Sequence, residues 1–202
     1  MDFSGKSTLV RNLKSLLSNL DWQPHFTREP GGTPTAERIR AILLDPGLDM
    51  DPWTEAYLYA AARADLMRRE ILPRLEAGRV VLCERFLDSS LAYQGAGRGL
   101  GVAAVRELND RAAGEVVPDV TFYLRLSQEE RARRARESGA PLDRIEKVGD
   151  DFMRRVEEGF EEIARSDPDR IKVLDASLPP EKLAEAVAQE ILRLQYTRES
   201  NA

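Results

Sequence analysis

Apolar residues recur at spacings of three and four along most of this chain, broken by a few short, continuous apolar runs. Leu9, Leu13, Leu16, Leu17 and Leu20 follow Ser4-Gly5-Lys6-Ser7-Thr8 and predict a helix from about Gly5 to Leu20. His25-Phe26-Thr27 predicts a short strand, and Gly31-Gly32-Thr33-Pro34 a turn. Pro34 or Thr35 opens the next helix, which carries Ile39, Ile42 and Leu43. Asp51-Pro52 forms an N-cap and first-turn pair. After it, Trp53, Ala56, Tyr57, Ala60, Ala64, Met67, Ile71 and Leu75 share one face of a helix of about two dozen residues. Pro73 is expected to kink its last turn and Gly78 to end it.

The continuous runs have a different meaning. Val80-Val81-Leu82-Cys83, Val120-Thr121-Phe122-Tyr123-Leu124 and Ile171-Lys172-Val173-Leu174 suit strands of a parallel sheet buried on both faces. Helices are predicted between and after them, over about Val102–Ala113, Gln128–Glu137, Ile145–Arg165 and Pro180–Leu194. Alternating strands and helices indicate a doubly wound α/β fold with a parallel sheet and helices on both faces.

A chain of 202 residues is one domain, residues 1–202, with at most a small lid or insert. Its 42 % hydrophobic and 32 % charged content excludes disorder and low complexity. No run approaches the ~18 apolar residues of a membrane span, and the polar N-terminus does not read as a signal peptide. One cysteine excludes an internal disulfide and a cysteine-based zinc site. A net charge of −5 gives no global field for nucleic acid. The expectation is a cytoplasmic protein with neither nucleic acid nor membrane as partner.

Local geometry must therefore handle any anion, and the first helix start offers it. Ser4-Gly5-Lys6-Ser7 is the second half of the phosphate-loop pattern G-x-x-x-x-G-K-[ST]. Gly5 lets backbone N–H groups close around phosphate oxygens, Lys6 reaches the β- and γ-phosphates, and Ser7 ligates Mg²⁺. The helix behind them points its positive end at the anion. The pattern's first glycine would fall before Met1, and the strand that leads into such a loop is absent. Four buried apolar side chains of that strand would contribute roughly 6–12 kcal/mol, so the natural protein is expected to begin upstream.

Three further strings narrow the class: Thr27-Arg28-Glu29-Pro30-Gly31-Gly32-Thr33, Leu58-Tyr59-Ala60-Ala61-Ala62-Arg63, and Glu84-Arg85-Phe86-Leu87-Asp88-Ser89-Ser90-Leu91-Ala92-Tyr93-Gln94-Gly95. With Ser4-Gly5-Lys6-Ser7-Thr8, in this order, they make the chain resemble bacterial thymidylate kinase over nearly its whole length. The resemblance implies a P-loop kinase fold with a five-stranded parallel sheet, whose first central strand is missing from this chain. It implies transfer of the γ-phosphoryl group of ATP to dTMP with Mg²⁺, by an enzyme that is a homodimer. Two other readings stay open: a kinase for another pyrimidine nucleotide, and a non-catalytic nucleotide-binding protein.

The resemblance also implies roles. Asp2 matches the acidic residue that accepts a hydrogen bond from the sugar 3′-hydroxyl. Arg40 and Arg85 match arginines at the phosphates, where planar guanidinium forks suit a dianion. Tyr59 matches an aromatic residue stacked on thymine, and Arg63 the arginine that bonds a thymine carbonyl. Ser90 and Gln94 match readers of the base edge, and Tyr93 a residue flanking the sugar. Ser4, Gly5, Lys6, Ser7 and Thr8 would bind ATP, with Ser7 and Glu84 toward the metal. Glu84 stands where the family has Asp, Phe86 where it has Tyr or His, and Phe3 where many members have Gly.

Arg131, Arg133, Arg134, Arg136 and Arg144 form an arginine-rich stretch. Glu129, Glu130, Glu137, Asp143 and Glu146 balance them, so the stretch is neutral and unsuited to nucleic acid. In the resembled family, a lid ahead of a string like Leu142-Asp143-Arg144-Ile145-Glu146 supplies arginines to the transferring phosphoryl group. A lid at about 131–144 follows, with Arg134 and Arg136 as catalytic candidates and Arg144 at ATP. His25 reads as structural, Cys83 as inert packing in a buried strand, and Trp53 as helix packing.

Overall fold

The computed structural model describes residues 3–20, 22–114, 116–139 and 143–200. These fall into two compact units, one drawn from Met1–Gln23, Val120–Ala140 and Ile171–Ala202, the other from Pro24–Asp119 and Pro141–Arg170. Each unit holds one pair of parallel strands, so among the described residues the runs expected in one sheet buried on both faces form two two-stranded sheets, and Val81–Glu84, Cys83 included, is half-buried.

In the first unit, helix α1 (Lys6–Leu16) packs on the C-terminal helix α9 (Pro180–Ser200). Leu9 and Leu13 from one, Leu17 just past its end, and Leu183, Ala184, Val187, Ala188 and Ile191 from the other, are buried. Strands β3 (Thr121–Arg125) and β4 (Ile171–Asp175) run parallel in register, from Thr121↔Ile171 to Arg125↔Asp175. Helix α7 (Gln128–Ser138) follows β3 and is capped by the Ser127 hydroxyl, which accepts from the Glu130 N–H. Helix α1 stops short of the predicted Leu20. The Ser18 hydroxyl donates to the Ser15 carbonyl at 2.8 Å and competes with the next helical turn.

In the second unit, β1 (His25–Arg28) lies parallel to β2 (Val81–Glu84), from His25↔Val81 to Arg28↔Glu84. Helix α2 (Pro34–Leu44) starts on Thr33, whose Oγ1 accepts from the Ala36 N–H. Asp51 caps α3 (Pro52–Leu66), accepting from Trp53 N–H at 2.8 Å. The helix then widens into a π-helical turn (Met67–Ile71), in which the Leu72 N–H bonds the Met67 carbonyl, before α4 (Leu72–Glu76). Proline lacks the N–H for an α-helical bond and clashes with the carbonyl four residues back. Pro73 thus explains the local widening, and Gly78, at φ +72°, follows the end of α4.

Two elements of this unit also differ from expectation, as α9 does in the first by running to Ser200 and not to Leu194. A short helix α5 (Leu87–Ser90), continued by a π-helical turn (Leu91–Gly97), occupies a stretch whose glycines and serines hide any helical period. It packs on α8 (Asp150–Ser166), where a Cβ added to Gly159 would lie 2.7 Å from Ala96 Cβ. The helix predicted from Ile145 instead begins at Asp150, because Gly149 at φ +113° separates α8 from a 3₁₀ turn (Glu146–Val148). Helix α6 (Val102–Ala113) has the predicted bounds.

The inward face of α3 corrects the apolar pattern. Trp53 is exposed, not packed into the core, and tilts its ring toward the exposed Tyr57 at 6.0 Å. The charged Glu55 and Arg63 are buried with Ala56, Ala60 and Leu66. Their partners on other elements make that burial tolerable.

Candidate active site

At the start of α1, Gly5 adopts φ +86°, a left-handed conformation that favours glycine. Gly5 stands at the N-cap position and makes no side-chain cap hydrogen bond, and the first turn of such a helix is the end that favours an anion. Ser4 is buried beneath the turn, and Ser7 is exposed. Lys6 and Thr8 are half-buried. A Cβ built on Gly5 would lie 3.8 Å from Arg134 Nη1. Arg134 is held there through Nε to Glu130 at 2.8 Å and Nη2 to the Ala176 carbonyl at 3.0 Å. Hydrogen bonds from Arg133 and Arg134 push the Glu130 carboxyl down to about 2. Arg136 is exposed on the same helix. Asp2 lies outside the described residues.

The second unit assembles a denser group. The carboxyl ends of β1 and β2 lead into it, the usual ligand side of parallel strands. There the Glu29 N–H bonds the Glu84 carbonyl at 2.9 Å. Gly32, at φ +86°, leaves no room for a Cβ, which would stand 2.6 Å from Leu66 Cδ1 and Thr27 Oγ1. Arg40 donates to the Pro30 carbonyl at 2.9 Å, which fixes it over the loop between β1 and α2. Arg85 follows β2 in a left-handed conformation (φ +67°), rare for a non-glycine residue. Such strain clusters at functional sites. The Cys83 thiol donates to the Arg85 carbonyl at 3.0 Å, and burial pushes that thiol well above its usual range. The Arg85 guanidinium sits 5.2 Å from the Tyr93 ring centroid.

Arg63 is the centre of one buried network. Its Nε donates to both Glu29 carboxylate oxygens at 3.0–3.1 Å, and Nη2 donates to Glu29 at 2.5 Å and to Ser90 Oγ at 3.1 Å. Nη1 donates to Asn109 Oδ1, and the guanidinium lies 5.2 Å from the Phe86 ring centroid. Ser90 is thereby brought to Arg63.

Glu55 is the centre of a second network, which the sequence does not announce. Gln94 Nε2 donates to its Oε1 at 2.9 Å, and Arg98 reaches both oxygens at 3.2 and 2.7 Å. Arg144 pairs with Oε2 at 2.8 Å and donates through Nε to the Leu43 carbonyl. Burial acts to raise the Glu55 carboxyl, but the hydrogen bonds from Arg98, Gln94 and Arg144 and the Arg98 charge outweigh it, so it titrates below its usual value. Tyr59 lies in the field of this group. Burial first, then the Glu55 charge, raise its phenol well above the ordinary range despite Arg85 and Arg144, so it stays neutral.

Tyr93 meets Phe152 and Phe160 edge-on at 6.2 and 6.0 Å. Asp88, at the start of α5, receives Arg170 Nη1 and Nη2 at 2.8 and 2.9 Å. Glu29, Glu55, Asn109 and Arg98 were not candidates from sequence. The one readable signal was a charge on the apolar face of α3.

A glycine-capped helix start suited to phosphate, and buried arginine–carboxylate networks at the ends of parallel strands, belong to the chemistry of a nucleoside monophosphate kinase. Known proteins narrow the class. The profile of the family described as Thymidylate kinase matches residues 1–187. A Thymidylate kinase of Pelotomaculum thermopropionicum is 47 % identical over 178 residues, covering 88 % of this chain and 82 % of that protein. One from Symbiobacterium thermophilum is 46 % identical over 195 residues, covering 96 % and 88 %. The crystal structure of thymidylate kinase from Ehrlichia chaffeensis superposes with a TM-score of 0.75 at 30 % identity, over 96 % of this chain and 94 % of that one. The chain belongs to the thymidylate kinase family. Its fold is accordingly the α/β P-loop kinase fold.

Proposed function

We propose that this protein transfers the γ-phosphoryl group of ATP to dTMP, giving dTDP and ADP. A phosphate oxygen of dTMP attacks the γ-phosphorus, and the bond to the β,γ-bridging oxygen breaks with ADP as leaving group. The observation that carries the reading is the buried Arg63–Glu29–Ser90 network, built from the strings that carry the resemblance to thymidylate kinases. Gly5, Lys6, Thr8 and the first-turn N–H groups of α1 hold the ATP phosphates, with Ser4 beneath them. Arg134 stands beside Gly5 and lends charge to the transferring group, where such an arginine is worth about 10³–10⁵ in rate. Arg136, exposed on α7, has the weaker claim. Arg40 and Arg85 receive the acceptor monophosphate. Tyr59 stacks as a neutral ring on the base, Ser90 and Gln94 read its edge, and Tyr93 closes on the sugar. Asp2 is assigned to the 3′-hydroxyl on the resemblance alone. Arg144, paired with Glu55, supports the acceptor cluster better than a direct ATP role.

The exposed Ser7 hydroxyl on the first turn of α1 fits Mg²⁺, which takes one or two protein oxygens and completes its shell from phosphates and water. Glu84 is the second residue assigned to that shell, through water. The metal supplies neutralisation of phosphate charge when bound. We read residues 1–202 as one catalytic domain with a lid at about 131–144, acting as a cytoplasmic homodimer. Among the described residues no helix is long and apolar enough to cross a membrane.

The test is ADP release with ATP and Mg²⁺, comparing dTMP, dUMP, dCMP and dAMP. Highest kcat/KM with dTMP is expected. Better turnover with another monophosphate, or none with a folded protein, contradicts the assignment.

A further inference from the structure

We propose that Glu55 is a positioning residue that decides which end of the Gln94 amide faces the acceptor base, and so selects a base with a ring N–H over one with a ring lone pair. The inference rests on the reading of Gln94 as a contact to that base.

A carboxamide has a donor end and an acceptor end, and their assignment follows from the partners it meets. Here the partner is a carboxylate. Glu55 is fully buried, ion-paired with Arg98 and Arg144, and an ionised carboxylate only accepts. The Gln94 atom 2.9 Å from Glu55 Oε1 is therefore the NH₂ group. Turning the amide over would set two oxygens against each other in a buried site, a costly contact. The end that Gln94 can offer elsewhere is Oε1, an acceptor. Thymine and uracil carry an N3–H donor that satisfies it. Cytosine presents a lone pair at N3, which repels it.

This arrangement depends on charge, not only on shape. Glu55→Gln keeps the side-chain volume but gives a group that both donates and accepts. The Gln94 amide is then released to adopt either orientation. The prediction is that the ratio of kcat/KM for dTMP over dCMP falls by about 10- to 100-fold in Glu55→Gln, the range expected when a polar reading contact is lost. The ratio for dTMP over dUMP stays within about twofold, because those bases share the N3–H. The change resides in KM for the nucleoside monophosphate, with KM for ATP unchanged.

A merely structural Glu55 lowers the melting temperature and depresses all substrates alike, and that outcome overturns the proposal, as does unchanged dTMP/dCMP selectivity in the folded variant. If Glu55→Gln fails to fold, Gln94→Leu decides. It is expected to lose the same dTMP/dCMP discrimination, and retention of it overturns the proposal. The unmutated protein separates this inference from the function itself. If it does not prefer dTMP over dCMP, the assignment of the acceptor fails, and the inference falls with it. If it does, and the variants keep that preference, the inference alone fails.

Discussion

Replacing Glu29 by Gln tests the buried Arg63 network most sharply. Arg63 is 1 % exposed and Glu29 is 5 % exposed, so water contributes little to either. Glu29 accepts from Nε at 3.1 and 3.0 Å and from Nη2 at 2.5 Å. Its neutral amide removes the compensating charge and offers Arg63 one acceptor oxygen in place of two, beside Asn109 and Ser90. Removing one partner of a buried ion pair costs about 3–5 kcal/mol. A chain of this size shifts its Tm by about 2–4 °C per kcal/mol, so a fall of about 6–20 °C is expected. Calorimetry at pH 7 measures it. The double variant Glu29→Gln/Arg63→Met removes both charges and should be more stable than Glu29→Gln alone, because a charge-free core has no stranded ion. A single variant that melts within about 2 °C of the unmutated protein, or a double variant less stable than the single, refutes the reasoning.

Three other outcomes follow from the same structure. Gly32→Ala should lose about 2–5 kcal/mol in denaturant unfolding, combining a left-handed backbone with a Cβ only 2.6 Å from Leu66 and Thr27. Arg134→Ala should reduce kcat at least about 100-fold with little change in KM for dTMP, whereas Arg136→Ala should reduce it less than about tenfold, because only Arg134 stands beside the Gly5 turn; steady-state kinetics decides between them. Glu55 has a folded value below its ordinary 4.5, so its contribution to stability is present above that value and is lost as the pH falls through the lower, folded one. Chemical denaturation from pH 6 to pH 3 should show this loss in the unmutated protein and a shallower slope in Glu55→Gln.

The sequence made local rules legible and cross-chain partnerships illegible. Asp51-Pro52 opens α3, and the apolar runs became strands within one residue of the expected positions. Each depends on neighbours in sequence, through capping or a continuous run of apolar residues. The α1 end and the Gly149 break were missed because one serine hydroxyl and one backbone conformation outweigh the apolar period. The stretch from Leu87 to Gly97 was missed for a related reason. Its helix is stabilised by close approach to α8, through Gly97 and Gly159, and not by its own periodicity. In the site, phosphate-loop residues are contiguous and readable. Glu55 is 39 residues from Gln94 and 43 from Arg98, and Arg63 is 46 from Asn109, so only the fold reveals those pairs. Apolar spacing placed Trp53 and Tyr57 inward on α3, but burying Glu55 and Arg63 with their partners rotates those two rings to the surface.

The most direct measurement is to identify the product. ATP, Mg²⁺ and dTMP are incubated with the purified chain, and the nucleotides are resolved by chromatography with ³¹P NMR of the new species. Formation of dTDP in one-to-one ratio with ADP is the predicted result. ADP without dTDP would mean that the loop at Lys6 directs the phosphoryl group to water, and the account of the acceptor site would be wrong.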